Sequence, residues 1–178
     1  MDVGECIHDR RSVKRFLNQR VEKDKLMRVL DAGAWAPSAG NAQNWRFVVV
    51  RNPALKLSLS EACLNQYWMT TAPLFVVVCV DTVKVSRLYP ARGEVYNLLN
   101  AGACVENVLL QAHAEGLASC WVSTFDELAV RNILRLPDEI LPVAVLPLGY
   151  PGERVPFPKR IGLNNQVFFD RWGNKEES

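Results

Sequence analysis

A single α+β domain over residues 1–178 is predicted by three observations. Segments with apolar residues at helical spacing alternate with short runs of β-branched residues. The longest apolar runs, such as Leu74 to Val80, are strand-sized and far below the length that spans a bilayer. The 178 residues are 49% apolar and 22% charged, an ordinary globular balance. A chain of that size buries roughly two thirds of the surface its unfolded form exposes, enough for one core.

The elements follow in order. Residues 22–35 place Leu26, Val29, Leu30, Gly33 and Ala34 on one helical face. Ala36-Pro37-Ser38-Ala39-Gly40-Asn41 then breaks into a loop of small and polar residues. Arg46 to Val50 reads as a buried strand, with a turn at Asn52-Pro53 and a helix to about Ala62. Leu74 to Val80 is the clearest core strand, because β-branched side chains suit a pleated surface. The longest helix runs from about Glu94 to Glu115. Its middle, Leu98 to Val105, has almost no charged face, so it must be covered on more than one side, either by the domain or by a partner subunit.

Gly116 is the expected end of that helix, and Leu117 to Val122 reads as another strand. Asp126 caps a short helix that ends near Leu136, before Pro137. Pro142 to Gly149 is the last strand. The tail from Arg160 carries Val167, Phe168, Phe169 and Trp172 among polar residues, a composition that docks on some surface, a partner subunit included. No repeat or linker divides the chain.

Composition narrows the chemistry. A net charge of +2, from 21 basic and 19 acidic residues, gives no reason to expect nucleic acid or an anionic membrane as the main partner. Five widely spaced cysteines without a Cys-x-x-Cys pair disfavour a disulfide framework or zinc site, and the two histidines lie far apart; no metal is expected. The residues up to Arg10 hold no apolar signal core, so a cytoplasmic location is expected. No Gly-x-Gly-x-x-Gly is present, which leaves no Rossmann site for a nicotinamide cofactor.

Two segments could carry function. Arg10-Arg11-Ser12-Val13-Lys14-Arg15-Phe16 gathers four cations and a hydroxyl, suited to a phosphate, although a solvated basic patch has the same composition. Trp35 to Phe47 contains a bend in which Pro37 and Gly40 restrict the path and Ser38 and Asn41 offer hydrogen bonds. Ala39 there permits close approach of a flat ligand. Alone, it could be only a helix-to-strand connection.

Together with Gln66, Thr71-Ala72-Pro73, Glu115 to Val122, Pro147 to Pro151 and Lys159-Arg160, these segments resemble the short members of the nitroreductase family, in order along nearly the whole chain. The resemblance implies a central, mostly antiparallel sheet flanked by helices. It also implies an intertwined homodimer in which the C-terminal extension lies on the partner and each of two tightly bound FMN molecules sits between subunits.

Arg10, Arg11 and Ser12 would then hold the phosphate and ribityl chain, with Arg160 and Lys159 closing on the phosphate. Lys14 would face the N1–O2 edge of the flavin as electrostatic support. Asn65 or Gln66 would reach the ribityl or pyrimidine side. Pro37, Ser38, Ala39 and Asn41 would come from the other subunit, and backbone N–H groups around Val122, Ser123 and Thr124 would meet N5 and O4. The implied activity is ping-pong hydride transfer from NAD(P)H, bound transiently, through flavin N5 to a nitroaromatic, quinone or similar oxidant, without a catalytic side chain.

Two departures bear on substrate preference. Ser123 stands where the family commonly has glycine, and Trp68 where some longer relatives have lysine. A specialised dehalogenase, dehydrogenase or flavin-degrading relative, or a flavin-binding dimer without activity, are the alternatives. The short stretch Asp81 to Gly93 leaves little room for the lid such specialised relatives add.

Overall fold

The run of β-branched residues at the middle of the chain becomes the centre of the sheet. In the computed structural model, which describes residues 2–175, strand β2 (Leu74–Asp81) pairs antiparallel with β1 (Trp45–Val50) on one side and with β4 (Ile140–Gly149) on the other. Val50 lies opposite Phe75 and Trp45 opposite Val80. Leu148 lies opposite Leu74, and a register shift falls between Val78 and Cys79. A two-residue strand, β3 (Ala118–Ser119), completes the order β1-β2-β4-β3.

Because side chains alternate along a strand, β2 feeds two cores. Leu74, Val76 and Val78 meet Leu26, Val29, Val105 and Val108 on one face. Phe75, Val77 and Cys79 meet Leu59, Cys63, Met69 and Val130 on the other. The first layer is helix α2 (Lys23–Ala34) with α5 (Gly93–Ala114); the second includes α3 (Pro53–Ala62) and α6 (Glu127–Leu134). Asn52 caps α3 by accepting from the N–H groups of Ala54 and Leu55, and Asp126 caps α6 through Ala129. Helix α6 stops at Arg135, whose φ of 53° is left-handed, two residues before Pro137.

The sheet differs from the sequence reading at Leu117 to Val122. Only Ala118 and Ser119 pair continuously with β4; Val122 returns as an isolated bridge to Val145, in the register begun by Ser119 and Leu148. Apolar composition favours extended backbone there, but the ladder is interrupted at Cys120 and Trp121. Two short helices were not anticipated: α1 (Val3–Asp9), closed by a capping box between Asp2 and Glu5, and α4 (Thr82–Leu88), capped by Asp81 through Val83. Each buries a single residue, Cys6 or Val85, so neither leaves an apolar period to read.

Helix α5 is long, 22 residues or about 33 Å, and its faces divide. Ala101, Cys104, Val105, Val108 and Ala112 are buried within the chain, whereas Val95, Leu98 and Leu99 are exposed. All five cysteines are free and buried. Burial pushes the thiols of Cys63, Cys79 and Cys104 up to about 12. No helix among the described residues is long and apolar enough to cross a membrane.

Helices α2 and α5 approach closely at Gly33, where an added Cβ would lie 2.6 Å from Val108 Cγ2 and 3.2 Å from Cys104 Sγ. Gly33→Ala therefore lowers thermal stability: overpacking costs about 1–3 kcal/mol, more than the roughly 1 kcal/mol gained in helix propensity. An unchanged or raised melting temperature would show that the two helices separate freely. Near the C-terminal end of α5, His113 has a buried Nε2 without a partner among the described residues. Burial holds its pKa below the usual 6.5, with Arg10 and Arg11 acting in the same direction and Asp9 against them. The folded protein thus resists protonation that the unfolded chain accepts, and stability falls as pH drops below 6.5 through the lowered folded value. Melting curves between about pH 7 and about pH 5 should show a smaller loss for His113→Gln than for the parent; parallel losses would refute this.

Candidate functional site

The cationic segment after α1 is fixed by its backbone. Val13 N–H donates to Ser119 O at 3.1 Å and Leu17 N–H to Tyr150 O at 2.9 Å. Ser12 forms a parallel bridge with Ser119, and Phe16 an antiparallel bridge with Pro151. Glu153 adds a side-chain clamp, its Oε1 accepting from the N–H groups of Lys14 at 2.7 Å and Arg15 at 3.0 Å. Val13 and Phe16 are buried and anchor the segment, while Ser12, Lys14 and Arg15 stay exposed. The cluster is therefore held in place along its length and is not a loose charged arm.

Arg10, Arg11, His113, Ser119, Glu153 and Arg154 are among the residues lining a cavity of about 300 Å³. Arg11 donates through Nη1 to the carbonyls of His8 at 2.6 Å and Arg10 at 2.8 Å, and its guanidinium lies 3.8 Å from the centre of the Phe157 ring. Its Nε and Nη2 are buried without a partner. Unmet buried donors cost about 1–3 kcal/mol each, so this guanidinium is poised for an acceptor, and an anionic group such as a phosphate fits it. Arg10 Nε lies 3.8 Å from Glu106 Oε1.

Lys14 Nζ stands 5.5 Å from the centre of the Trp68 ring, and Trp68 Nε1 donates to Gln66 Oε1 at 3.2 Å. Trp68 thus puts an electron-rich face beside Lys14 where a second cation would repel it. Asn65 is left-handed at φ 59° and accepts from the Tyr67 hydroxyl at 3.1 Å. Buried Lys56 donates to the carbonyls of Thr70 and Ala72 and ties down the end of this segment. Cys120 lies near the cluster: burial raises its thiol pKa, opposed by Lys14, a hydrogen bond with Ser12, and Arg10. Val122 N–H is committed to Val145 O at 3.1 Å, which corrects the expectation that it is offered to a ligand. Among the described residues the N–H groups of Ser123 and Thr124 have no such partner.

The Pro37–Asn41 bend is held separately. Ser38 Oγ accepts from Gln43 N at 3.0 Å, Ala39 N donates to Asn100 Oδ1 at 2.9 Å, and Lys84 Nζ donates to Ala42 O at 2.7 Å. Gly40, at φ 56°, leaves no room for a Cβ, which would lie 2.7 Å from the Tyr89 hydroxyl. Helix α4 and the turn after it therefore brace the bend. Among the described residues no hydrogen bond or ion pair joins this bend to the Arg10–Lys14 cluster of the same chain. Lys159 and Arg160 are exposed on the C-terminal segment, where Phe157, Ile161, Leu163 and Trp172 are also exposed.

Sequence reasoning missed Glu153, Phe157, His113 and the asparagines beneath the bend. Glu153 had one visible signal, an acid inside an otherwise basic and proline-rich stretch. The others gain meaning only through contacts distant in sequence.

The model of the nitroreductase family matches residues 7–67 and 55–150. An NADH dehydrogenase of Thermus thermophilus is 32% identical, across 95% of this chain and 96% of its own length. An FMN reductase [NAD(P)H] of Bacillus subtilis is 26% identical across 86% of this chain and 67% of its own length. The crystal structure of a nitroreductase family protein from Clostridium novyi superposes with a TM-score of 0.79 at 27% identity, covering 98% of this chain and 97% of that one. With the four-stranded antiparallel sheet, the helical layers on both its faces and the ordered motifs, these likenesses lead to one statement: the chain belongs to the nitroreductase family.

Proposed function

We propose that the protein is a homodimeric flavoenzyme that binds FMN beside the Arg10–Lys14 cluster and passes hydride from NAD(P)H to a nitroaromatic, a quinone or a similar oxidant. Its family membership makes it an NAD(P)H-dependent oxidoreductase; the flavin, the dimer and the class of oxidant are the proposal. The observation that carries it is Arg11, with two buried N–H donors unmet, in a cavity that Arg10 and Arg154 also line, together with Asp9 and Glu153. The name of the Bacillus subtilis relative supports the flavin reading.

When bound, FMN supplies a ring that takes hydride from the nicotinamide and gives it to the oxidant. The chain's own residues bind and tune. Arg10, Arg11 and Ser12 would hold the phosphate and ribityl chain, and Lys159 and Arg160 would close on the phosphate from the C-terminal segment. Lys14, beside the Trp68 ring, would face the N1–O2 edge as electrostatic support for the electrons the flavin accepts. Glu153 holds the Lys14 and Arg15 backbone so that this charge is placed in advance. Asn65 or Gln66 would reach the ribityl or pyrimidine side, and Val122, Ser123 and Thr124 would border the ring, with the N–H groups of the latter two available to it.

The dimer completes the site. Pro37, Ser38, Ala39 and Asn41 belong to a bend that, among the described residues, shares no hydrogen bond or ion pair with the cationic cluster of its own chain, and in the dimer they would approach the partner's flavin. The exposed apolar face of α5 (Val95, Leu98 and Leu99), with half-buried Gly102 beside Trp121, supports a subunit contact. The C-terminal Phe157, Ile161, Leu163 and Trp172 supply apolar surface for an arm lying on the partner.

Purified protein reconstituted with FMN should retain it, turn yellow, and bleach when NADH or NADPH is added without oxygen. A colourless protein with no FMN uptake would overturn the proposal. Arg10→Ala and Arg160→Ala should each weaken FMN binding about 10- to 150-fold, the equivalent of a charge-assisted hydrogen bond of roughly 1.5–3 kcal/mol. Unchanged affinity in both variants, measured by fluorescence titration of the apoprotein, would remove the cluster from the site.

A further inference from the structure

We infer that Asn44, Asn97 and Asn100 form a buried relay of side-chain amides that positions the Pro37–Ala39 bend, and that they are thereby positioning residues for the flavin site; the last step rests on the reading proposed above. All three are almost wholly enclosed, at 0%, 2% and 4% exposure. Asn44 Nδ2 donates to Asn97 Oδ1 at 2.8 Å and to Asp81 O at 2.9 Å. Asn100 Nδ2 donates to Asn44 Oδ1 at 2.9 Å, and Asn100 Oδ1 accepts from Ala39 N at 2.9 Å. One end of the relay is the β1–β2 corner, closed by Asp81 N donating to Asn44 O at 2.7 Å. The other end is the backbone of the bend.

Packing alone does not call for amides here. Buried amides are costly unless paired, and apolar side chains of similar size would fill the space without that penalty. An asparagine amide offers something a hydrophobic side chain lacks, which is direction. It donates from one end and accepts at the other, so each orientation dictates the next. The Asp81 carbonyl and Asn97 Oδ1 orient Asn44, and Asn44 Oδ1 orients Asn100. Asn100 therefore presents oxygen, not NH₂, to the Ala39 N–H. A flipped Asn100 would face donor to donor.

The bend needs such a tether. Gly40, Asn41 and Gln43 have φ of 56°, 52° and 47°, and left-handed backbone is costly for residues other than glycine unless the surroundings hold it. The relay fixes Ala39 immediately before this run. Hence Asn97 and Asn100 of α5 set where Pro37, Ser38 and Ala39 sit.

The test uses hydrogen exchange of the Ala39 amide, with amides of β2 as internal reference, together with the FMN release rate of the reconstituted dimer. In Asn100→Leu the Ala39 amide should exchange about tenfold faster while β2 stays protected, and FMN should leave about tenfold faster, the factor for one lost hydrogen bond. In Asn97→Ala, which removes a side chain that among the described residues makes no hydrogen bond to the bend, both changes should appear in the same direction and smaller.

Unchanged Ala39 exchange in Asn100→Leu overturns the inference. So does an effect in Asn100→Leu with none in Asn97→Ala, since that is a single contact and not a relay. Should neither variant fold, the milder Asn97→Ser decides: faster Ala39 exchange with β2 still protected supports the relay, and unchanged exchange defeats it. Parent protein that takes up no FMN, with Ala39 exchange changing as stated, refutes the flavin reading and leaves the relay standing.

Discussion

Burial of β2 on both faces is the constraint around which the molecule is arranged. A strand whose residues from Leu74 to Val80 are all inaccessible cannot sit at the surface of a two-layer domain, so helices must cover both sides of it. The α2–α5 layer takes the even-numbered residues and the α3–α6 layer the odd. A strand in that position also needs a hydrogen-bonding neighbour at each edge, because unpaired backbone in a dry interior costs several times what a paired group contributes. β1 and β4 meet that need, and both run antiparallel to it.

The consequence for function lies at the margin of this sheet. β3 is only two residues long, and the extended segment from Ser12 to Leu17 is laced to Ser119, Tyr150 and Pro151 beside it. A cluster of like charges would disperse on a flexible arm, since solvent screens it and nothing holds the cations together. Here the backbone hydrogen bonds of Val13 and Leu17, and the Glu153 carboxylate beneath Lys14 and Arg15, keep the cations close against their mutual repulsion. In the flavoenzyme we propose, the unmet Arg11 donors find their acceptor in the phosphate. Charges arranged before the ligand arrives need no reorganisation afterwards.

Helix α5 serves several surfaces at once. One side packs on the sheet and α2, its asparagines turn toward the β1–β2 corner and the 37–41 bend, and Val95, Leu98 and Leu99 remain bare. This division explains why the helix reads as apolar nearly all round. The apolar residues answer to two different environments, and the few amides among them belong to a third. In the dimer we propose, the bare side is an interface, and the same helix therefore connects the core to the bend lent to the partner.

Much of this architecture was legible in the residues themselves. Leu74 to Val80 announced a core strand through its β-branched run, the turn at Asn52-Pro53 and the cap residue Asp126 marked helix starts, and the ordered motifs from Arg10 to Arg160 pointed to the nitroreductase family. Those signals are local: each depends on propensity, on periodicity or on a short stretch of neighbours, which a linear reading contains. What tertiary structure alone decided is the pairing of groups far apart along the chain. Leu117 to Val122 looked like one strand, yet the ladder holds only at Ala118 and Ser119 before Val122 bridges to Val145. Glu153 carries no local signal of its role, yet it clamps Lys14 from 139 residues away. Asn44 and Asn100 looked like unrelated polar residues, and only the fold turns their amides toward each other. A hydrogen bond depends on distance and direction in space, and neither quantity is written in sequence order.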